Sequence, residues 1–271
     1  ICIAVDESTD IKTPLGTANL DLLQQVSDTI LSHAKEQTPF VYDQGNLYLQ
    51  RYYKYEKSLV EHIKQRLQNS QQKKEAYKQK IELHASLIKE QAADNDLNGL
   101  DTDEKIDWQL IAVLRALMND FSIITGGPGT GKTTTLSKFL RVLLEMQPGC
   151  KVALAAPTGK ASMRMLDSLR EKSAQFSKEI LDQIHQLKPF TLHRLLGFQS
   201  NSIYFKHNSS NPLPYDWIIV DEASMIDLPM FAKLLDACKP ETRLIFLGDQ
   251  DQLASVDAGS LLGDLCASAG V

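Results

Sequence analysis

The chain predicts an α/β fold with a parallel sheet, and three observations carry that expectation. An apolar stretch, Phe121–Ile124, runs into the glycine-rich GGPGTGKT of Gly126–Thr133. TTTLSKFLRVLLEM follows, with Leu136, Leu140, Leu143 and Leu144 at helical spacing. Three further apolar stretches, Val152–Ala156, Trp217–Val220 and Arg243–Leu247, each give way to a polar turn. Helix-prone segments separate them, and strands that alternate with helices build parallel sheets covered on both faces.

The glycine-rich stretch fits G-x-x-x-x-G-K-[ST] between a strand and a helix, the setting of a phosphate-binding loop. A triphosphate needs many donors and little side-chain bulk. Glycines let successive backbone N–H groups curl around phosphate oxygens, and the next helix offers its positive end. Gly126, Gly127, Pro128, Gly129, Thr130, Gly131, Lys132, Thr133 and Thr134 are therefore the candidate nucleotide ligands. Lys132 suits the β- and γ-phosphates as a point charge, and Thr133 offers a hydroxyl to Mg²⁺.

The third strand, WIIV, stops at Asp221-Glu222-Ala223-Ser224. Burying two acids costs several kcal/mol unless something positive offsets it, and Mg²⁺ does. Asp221 can hold the metal, directly or through water, and Glu222 can take the proton of an attacking water. A helix-capping acid pair is the plainer alternative; the phosphate loop upstream outweighs it. The fourth strand ends at Gly248-Asp249 and reaches Gln252, whose amide can bond a γ-phosphate or its attacking water.

Composition bounds the rest. With 271 residues, 43% of them hydrophobic, one or two domains with a real core are expected. The chain opens on Ile1 rather than Met, which suggests a fragment or a processed form. Asp6, Glu7 and Asp10 interrupt the apolar start, so no signal peptide is expected, and no apolar run is long enough to span a membrane. Cys2, Cys150, Cys238 and Cys266 show no paired spacing and read as reduced thiols of a cytoplasmic protein. The net charge of −5 argues mildly against nucleic acid, but its distribution is uneven. Residues 121–170 carry a net of +5 around the phosphate loop, and residues 218–271 a net of −6.

In the first fifty residues ICIAV reads as a strand, Leu20–Ala34 has helical spacing, and β-prone runs flanking Asp43-Gln44-Gly45-Asn46 read as a hairpin. Tyr42, Tyr48, Tyr52 and Tyr53 are a possible base-stacking surface; hairpin packing explains them better. Residues 55–90 are polar and helix-prone, a surface helix or connector, with Lys73, Lys74, Lys78 and Lys80 facing solvent rather than phosphate. Residues 91–107 are acidic with turn signals. A domain boundary there divides the chain into 1–104, a small helical or α+β domain, and 105–271.

Within the second part, Trp108 and Gln109 begin a helix. An amide can pair with adenine N6 and N7, although spacing alone leaves Gln109 a helix-surface residue. Pro157-Thr158-Gly159 turns the chain after Val152–Ala156, and Lys160–Arg170 suits a helix. In TLHRLLG, Thr191–Gly197, His193 is either a core or cap histidine or a ligand, and Arg194 can meet a phosphate; residue type leaves both open.

Six stretches now stand in order: Gln109, GGPGTGKTTT, APTGKAS, TLHRLLG, VDEASMID and FLGDQDQL. Together they resemble the first motor lobe of superfamily 1 DNA helicases of the 5′-to-3′ class. More closely they resemble the RecD family, the motor subunits of RecBCD-type exodeoxyribonuclease V. The resemblance covers about residues 105–271; TLHRLLG and DEASMIDLP are not generic to phosphate-loop proteins. It implies a RecA-like P-loop NTPase domain using ATP and Mg²⁺. Lys132 and Thr133 would bind them, Asp221 the metal and Glu222 the catalytic water. Gln252 would couple the γ-phosphate to movement, and Gln109 would contact adenine. Thr158, Lys160, His193 and Arg194 would line a single-stranded DNA path. The implied partners are single-stranded and duplex-end DNA and RecB-like and RecC-like subunits docking on residues 1–104, with no membrane. The implied setting is double-strand break repair and recombination, with nuclease activity left to a partner.

The family also carries a second RecA-like lobe, with an arginine that completes the ATP site. These 271 residues hold no such segment, so this stretch alone is expected to bind ATP weakly and neither hydrolyse it well nor unwind DNA. The alternatives are a stand-alone RecD-like helicase, a phosphate-loop enzyme acting on a small molecule such as a kinase, and a mainly structural subunit that uses ATP to lock its shape.

Overall fold

The structure is a computed structural model. It describes residues 38–43, 46–84, 107–202, 204–252 and 261–268 in full, and the strand backbones at 2–4, 11–13, 16–18 and 31–32. The chain divides into two compact units, Ile1–Glu61 and His62–Val271. The boundary expected near residues 91–107 lies, apart from Asp107, outside the described residues.

In the first unit β1 (Cys2–Ala4), β4 (Leu31–Ser32), β5 (Phe40–Asp43) and β6 (Asn46–Leu49) form a sheet in the order β1-β6-β5-β4, and β2 (Ile11–Thr13) and β3 (Gly16–Ala18) form a separate antiparallel ribbon. The expected hairpin is present, with Asp43 opposite Asn46. Most of the helix expected over Leu20–Ala34 lies outside the described residues. Its end, Leu31–Ser32, is a strand paired parallel to β5, a correction in which sheet pairing overrides a helical period. The tyrosines pack locally. The Tyr53 hydroxyl donates to Asp43 Oδ2 at 2.9 Å, its ring meets Tyr48 edge-on at 5.3 Å, and Lys57 sits 4.6 Å above it.

Helix α1 (Gln50–Leu83) is continuous for 34 residues, about 51 Å at 1.5 Å per residue. From His62 onward it belongs to the second unit. One stripe of it, Arg66, Ser70, Lys73, Tyr77 and Ile81, follows helical spacing and packs there. Arg66 and Ser70 are buried, Ile81 joins the core, and the other two reach a buried acid described below. The stripe is mostly polar, which is why the sequence reads as surface.

The second unit is a five-stranded, all-parallel sheet with helices on both faces, the RecA-like α/β architecture expected. Its strands are β7 (Phe121–Thr125), β8 (Val152–Ala156), β9 (Pro189–Thr191), β10 (Trp217–Val220) and β11 (Arg243–Gly248), in the order β7-β11-β10-β8-β9. The sequence reading missed β9, which is three residues long and starts on a proline, a residue confined to edges because it cannot donate to a ladder.

Alternation along the strands sets the two faces. Val152, Leu154, Trp217, Ile219, Ile245 and Leu247 meet α2 (Trp108–Met118), α3 (Lys132–Met146) and α4 (Gly159–Lys172). Phe139 of α3 packs edge-on to Trp217 at 5.1 Å. On the opposite face Phe246 stacks on Phe231 of α7 (Leu228–Asp236) at 4.4 Å. Helix α5 (Lys178–Gln186) buries Ile180 and Ile184 beside Leu144 of α3 and Phe176. Helices α6 (Leu192–Leu195) and α8 (Leu261–Ser268) complete the described set.

At the end of the sheet where the strands begin sits Asp120, fully buried. Its backbone N–H donates to Ser70 Oγ at 2.7 Å, Tyr77 donates to its Oδ1 at 2.7 Å, and Lys73 and Arg243 pair with it at 3.3 and 3.4 Å. The Arg243 guanidinium lies between two rings, 3.9 Å from Trp217 and 4.3 Å from Tyr77, and donates to the carbonyls that end α2. Burial pushes Arg243 down to about 10 and Tyr77 up to about 12. Lys73, expected at the solvent face, thus pairs with a buried carboxylate.

Candidate nucleotide site

The site lies at the opposite end of the sheet, where parallel strands present their loops to ligands. Gly126, just beyond β7, donates its N–H to Gly248 O at the end of β11 at 3.2 Å. Gln250 N–H donates to Thr125 Oγ1 at 3.2 Å. Two adjacent strand ends are therefore stitched together beneath the loop.

The loop curls as its glycines permit. Gly129 and Gly131 have φ of +77° and +86°, a region that costs other L-residues about 1–2 kcal/mol. A Cβ at Gly126 would lie 2.6 Å from Thr130 Oγ1. Thr130 Oγ1 in turn donates to Gly127 O at 2.9 Å. Gly131 caps α3, whose first turn brings in Lys132, Thr133 and Thr134. Pro128, Gly129 and Thr130 form the exposed lip. The Lys132 ammonium donates to the carbonyls of Gly126 and, at 3.0 Å, of Gly127, which places it inside the curl. The Thr134 hydroxyl accepts from Lys172 Nζ of α4 at 2.7 Å, a partner that sequence reasoning did not find.

Gln109 is brought to the same place. Helix α2 starts at Asp107, whose Oδ1 accepts from Leu110 N–H at 3.0 Å and whose Oδ2 lies 3.8 Å from Lys138 of α3. So anchored, Gln109 sets its Nε2 against the Cα of Gly131; no Cβ would fit between them.

The acid pair leaves β10, two strands from β7 and about 10 Å across the sheet at ordinary strand spacing. Burial pushes the Asp221 carboxyl above the usual carboxylate range. The N–H of Glu222, 2.9 Å from Asp221 Oδ1, and the Lys132 ammonium pull it down, and the Glu222 charge adds to the rise. Glu222 has φ 53° and ψ 40°, the only positive-φ residue other than glycine among the described residues. Left-handed backbone at a non-glycine residue costs about 1–3 kcal/mol and concentrates at functional sites. Here it turns the chain from β10 into the short 3-10 turn Ala223–Met225. That turn nestles against Gly248, where a Cβ would lie 3.2 Å from Ser224 N and 3.5 Å from Ala223 N. Ser224 Oγ then donates to Gln252 Oε1 at 2.8 Å. Ser224 was not singled out in the sequence; its position two residues past the acid pair was the available signal.

Thr158, Lys160, His193 and Arg194 are exposed on the same end of the sheet. Ala156 of β8 pairs with Thr191 of β9, so the segments carrying them leave neighbouring strands. Thr158 and Thr191 each cap the helix that follows, their hydroxyls accepting from Ala161 and Arg194 N–H at 3.2 Å. The His193 ring meets Phe205 at 5.8 Å and the exposed Phe198 at 6.4 Å. Strand β9 stands four positions from β7, about 19 Å, whereas β8, which leads to Thr158 and Lys160, pairs directly with β10, the strand that ends at the acids.

Among the described residues there is no cluster of three or more His, Cys, Asp or Glu able to hold a metal unaided, and no helix long and apolar enough to cross a membrane. A cation at Asp221 would need Thr133 and a ligand's own oxygens to complete its shell, the pattern Mg²⁺ adopts with phosphates.

Comparison with known proteins follows the same outline. Over 235 residues the chain is 45% identical to the RecBCD enzyme subunit RecD of Haemophilus influenzae, covering 84% of this chain and 35% of that one. It is 45% identical over 163 residues to the RecBCD enzyme subunit RecD of Mycolicibacterium smegmatis, covering 58% and 29%. It is 42% identical over 137 residues to the ATP-dependent RecD2 DNA helicase of Deinococcus radiodurans, covering 51% and 16%. The chain thus spans about a third or less of the length of these relatives. Residues 109–258, which hold every site residue named above, match the AAA domain family. The chain belongs to the AAA domain family, and its sequence is similar over most of its length to RecD subunits.

Proposed function

We propose that this chain carries the ATP-binding lobe of a 5′-to-3′ DNA helicase motor, a RecD-type subunit of a RecBCD-like exodeoxyribonuclease V. The observation that carries the reading is geometric: the glycine loop after β7 curls around the Lys132 ammonium, and the acid pair leaves β10, two strands away at the same end of the sheet. An ammonium inside a curl of backbone amides, with two acids at the same end of the sheet, suits a magnesium triphosphate.

In this reading Lys132 and the loop amides hold the β- and γ-phosphates, and Thr133 and Asp221 hold Mg²⁺. The metal supplies charge neutralisation at the phosphate oxygens. Glu222 accepts the proton of the attacking water, Gln252 senses the γ-phosphate, and Gln109 orients adenine. Thr158, Lys160, His193 and Arg194 guide a single strand along the neighbouring strand ends. Residues 1–104 dock RecB-like and RecC-like subunits, and the assembly works on DNA ends in the cytoplasm, in repair and recombination.

The test uses the full-length protein with its co-purifying subunits. Single-stranded DNA should stimulate ATP turnover, and Lys132→Ala should abolish turnover and translocation while leaving assembly intact. Turnover indifferent to DNA would favour a small-molecule phosphotransferase. Unimpaired DNA processing by the Lys132→Ala complex would favour a scaffold.

A further inference from the structure

We propose that Ser224 is a positioning residue for ATP turnover, holding the Gln252 amide so that its nitrogen faces the γ-phosphate; this rests on the nucleotide reading above. Ser224 is 3% exposed, whereas Gln252 is exposed and lies in a polar turn beyond β11. A glutamine amide in such a turn rotates freely unless something fixes one end. The Ser224 hydroxyl fixes it, donating to Oε1 at 2.8 Å. Among the described residues the amide nitrogen takes no other partner. Two N–H donors therefore remain, and a phosphate oxygen, which only accepts, matches them.

The same bond couples two motifs. Ser224 sits two residues past Glu222, in the turn opened by the left-handed backbone of Glu222. Gly248 lets that turn close against the end of β11: a Cβ there would crowd Ser224 N at 3.2 Å and collide with the Leu262 side chain at 2.5 Å. The chain of contact runs Glu222 backbone, Ser224 hydroxyl, Gln252 amide. Departure of the γ-phosphate would be felt at the residue that handles water, and a shift of Gln252 would draw on the acid pair's turn.

The experiment is a double-mutant cycle in the full-length protein with its subunits, measuring DNA-stimulated ATP turnover. Ser224→Ala should lower kcat about ten-fold, the scale of one lost hydrogen bond. The KM for ATP, the affinity for a fluorescent ATP analogue and Tm should stay within about two-fold or a degree or two. Ser224→Thr keeps the hydroxyl and should recover most of kcat. Gln252→Ala should lose more, and adding Ser224→Ala to it should cost nothing further. Additive losses, or a Ser224→Thr variant that folds normally yet turns over like Ser224→Ala, would overturn the proposal. Wild-type protein without ATP turnover would instead remove the underlying nucleotide reading, an outcome the same assay separates from failure of the Ser224 role.

Discussion

Gln109 and Gly131, 22 positions apart in the chain, touch: the amide nitrogen of the first occupies the space a Cβ on the second would need. Gly131 therefore serves two requirements at once. Its φ of +86° turns the loop into α3, and its bare Cα admits Gln109 to the loop's edge.

Gly131→Ala should consequently fail twice. Left-handed backbone costs about 1–2 kcal/mol, and the methyl displaces Gln109. Thermal melts should show a lower Tm, and fluorescent nucleotide titration at least about ten-fold weaker binding. Adding Gln109→Ala should relieve the collision but not the backbone cost, so Tm should recover in part. Full recovery would mean that φ at this position is unimportant.

The buried carboxylate at Asp120 makes a second case. Asp120→Ala leaves Arg243 buried without its acid, at a cost of about 3–5 kcal/mol. Chemical denaturation should show that loss. The four-residue stripe from Arg66 to Tyr77 implies more: a truncation beginning at His62 should fold, whereas one beginning at residue 105 should aggregate, because Asp120 and Arg243 would lose Ser70, Lys73 and Tyr77. A monomeric, cooperatively melting 105–271 fragment would show the stripe to be dispensable.

Asp221 should trade stability for function. Burial raises its carboxyl pKa in the folded chain. Between the ordinary carboxylate range and that raised value the folded state binds more protons than the unfolded one. Stability therefore falls as pH rises through the window, and the cost is fully present once the pH exceeds the raised value. Asp221→Asn removes the charge, so Tm at pH 7 should rise by a few degrees, and the gain should shrink under acid conditions. Turnover of the full-length variant should drop at least about 100-fold, the scale of losing a preorganised charge. A gain independent of pH would assign the effect to packing.

The thiols should be inert. Burial pushes Cys150 up to about 11 and Cys238 up to about 12, and raises Cys266 as well. Thiolate is the reactive form, so at neutral pH iodoacetamide should label these three only slowly until denaturant is added, as mass spectrometry would report. Rapid native labelling at Cys238 would mean that its site opens.

The sequence alone determined the second unit's strands β7, β8, β10 and β11, the loop between Gly126 and Thr133 and the acids at 221 and 222. Each of these is written in local chemistry: apolar runs of strand length, glycines where a chain must curl, charges that have no place at a strand end without a purpose. Gln109 was legible only through resemblance, because a lone amide on a helix carries no local signal. Tertiary structure alone decided what pairs across distance. It set Gln109 on Gly131, Lys172 on Thr134 and Ser224 on Gln252, and it turned the polar face of α1 into a buried stripe around Asp120. A hydrogen bond between residues 28 or 47 positions apart leaves no period in the chain. It exists because the order β7-β11-β10-β8-β9 brings those strand ends and helix faces together, and that order is set by packing the sheet against its helices.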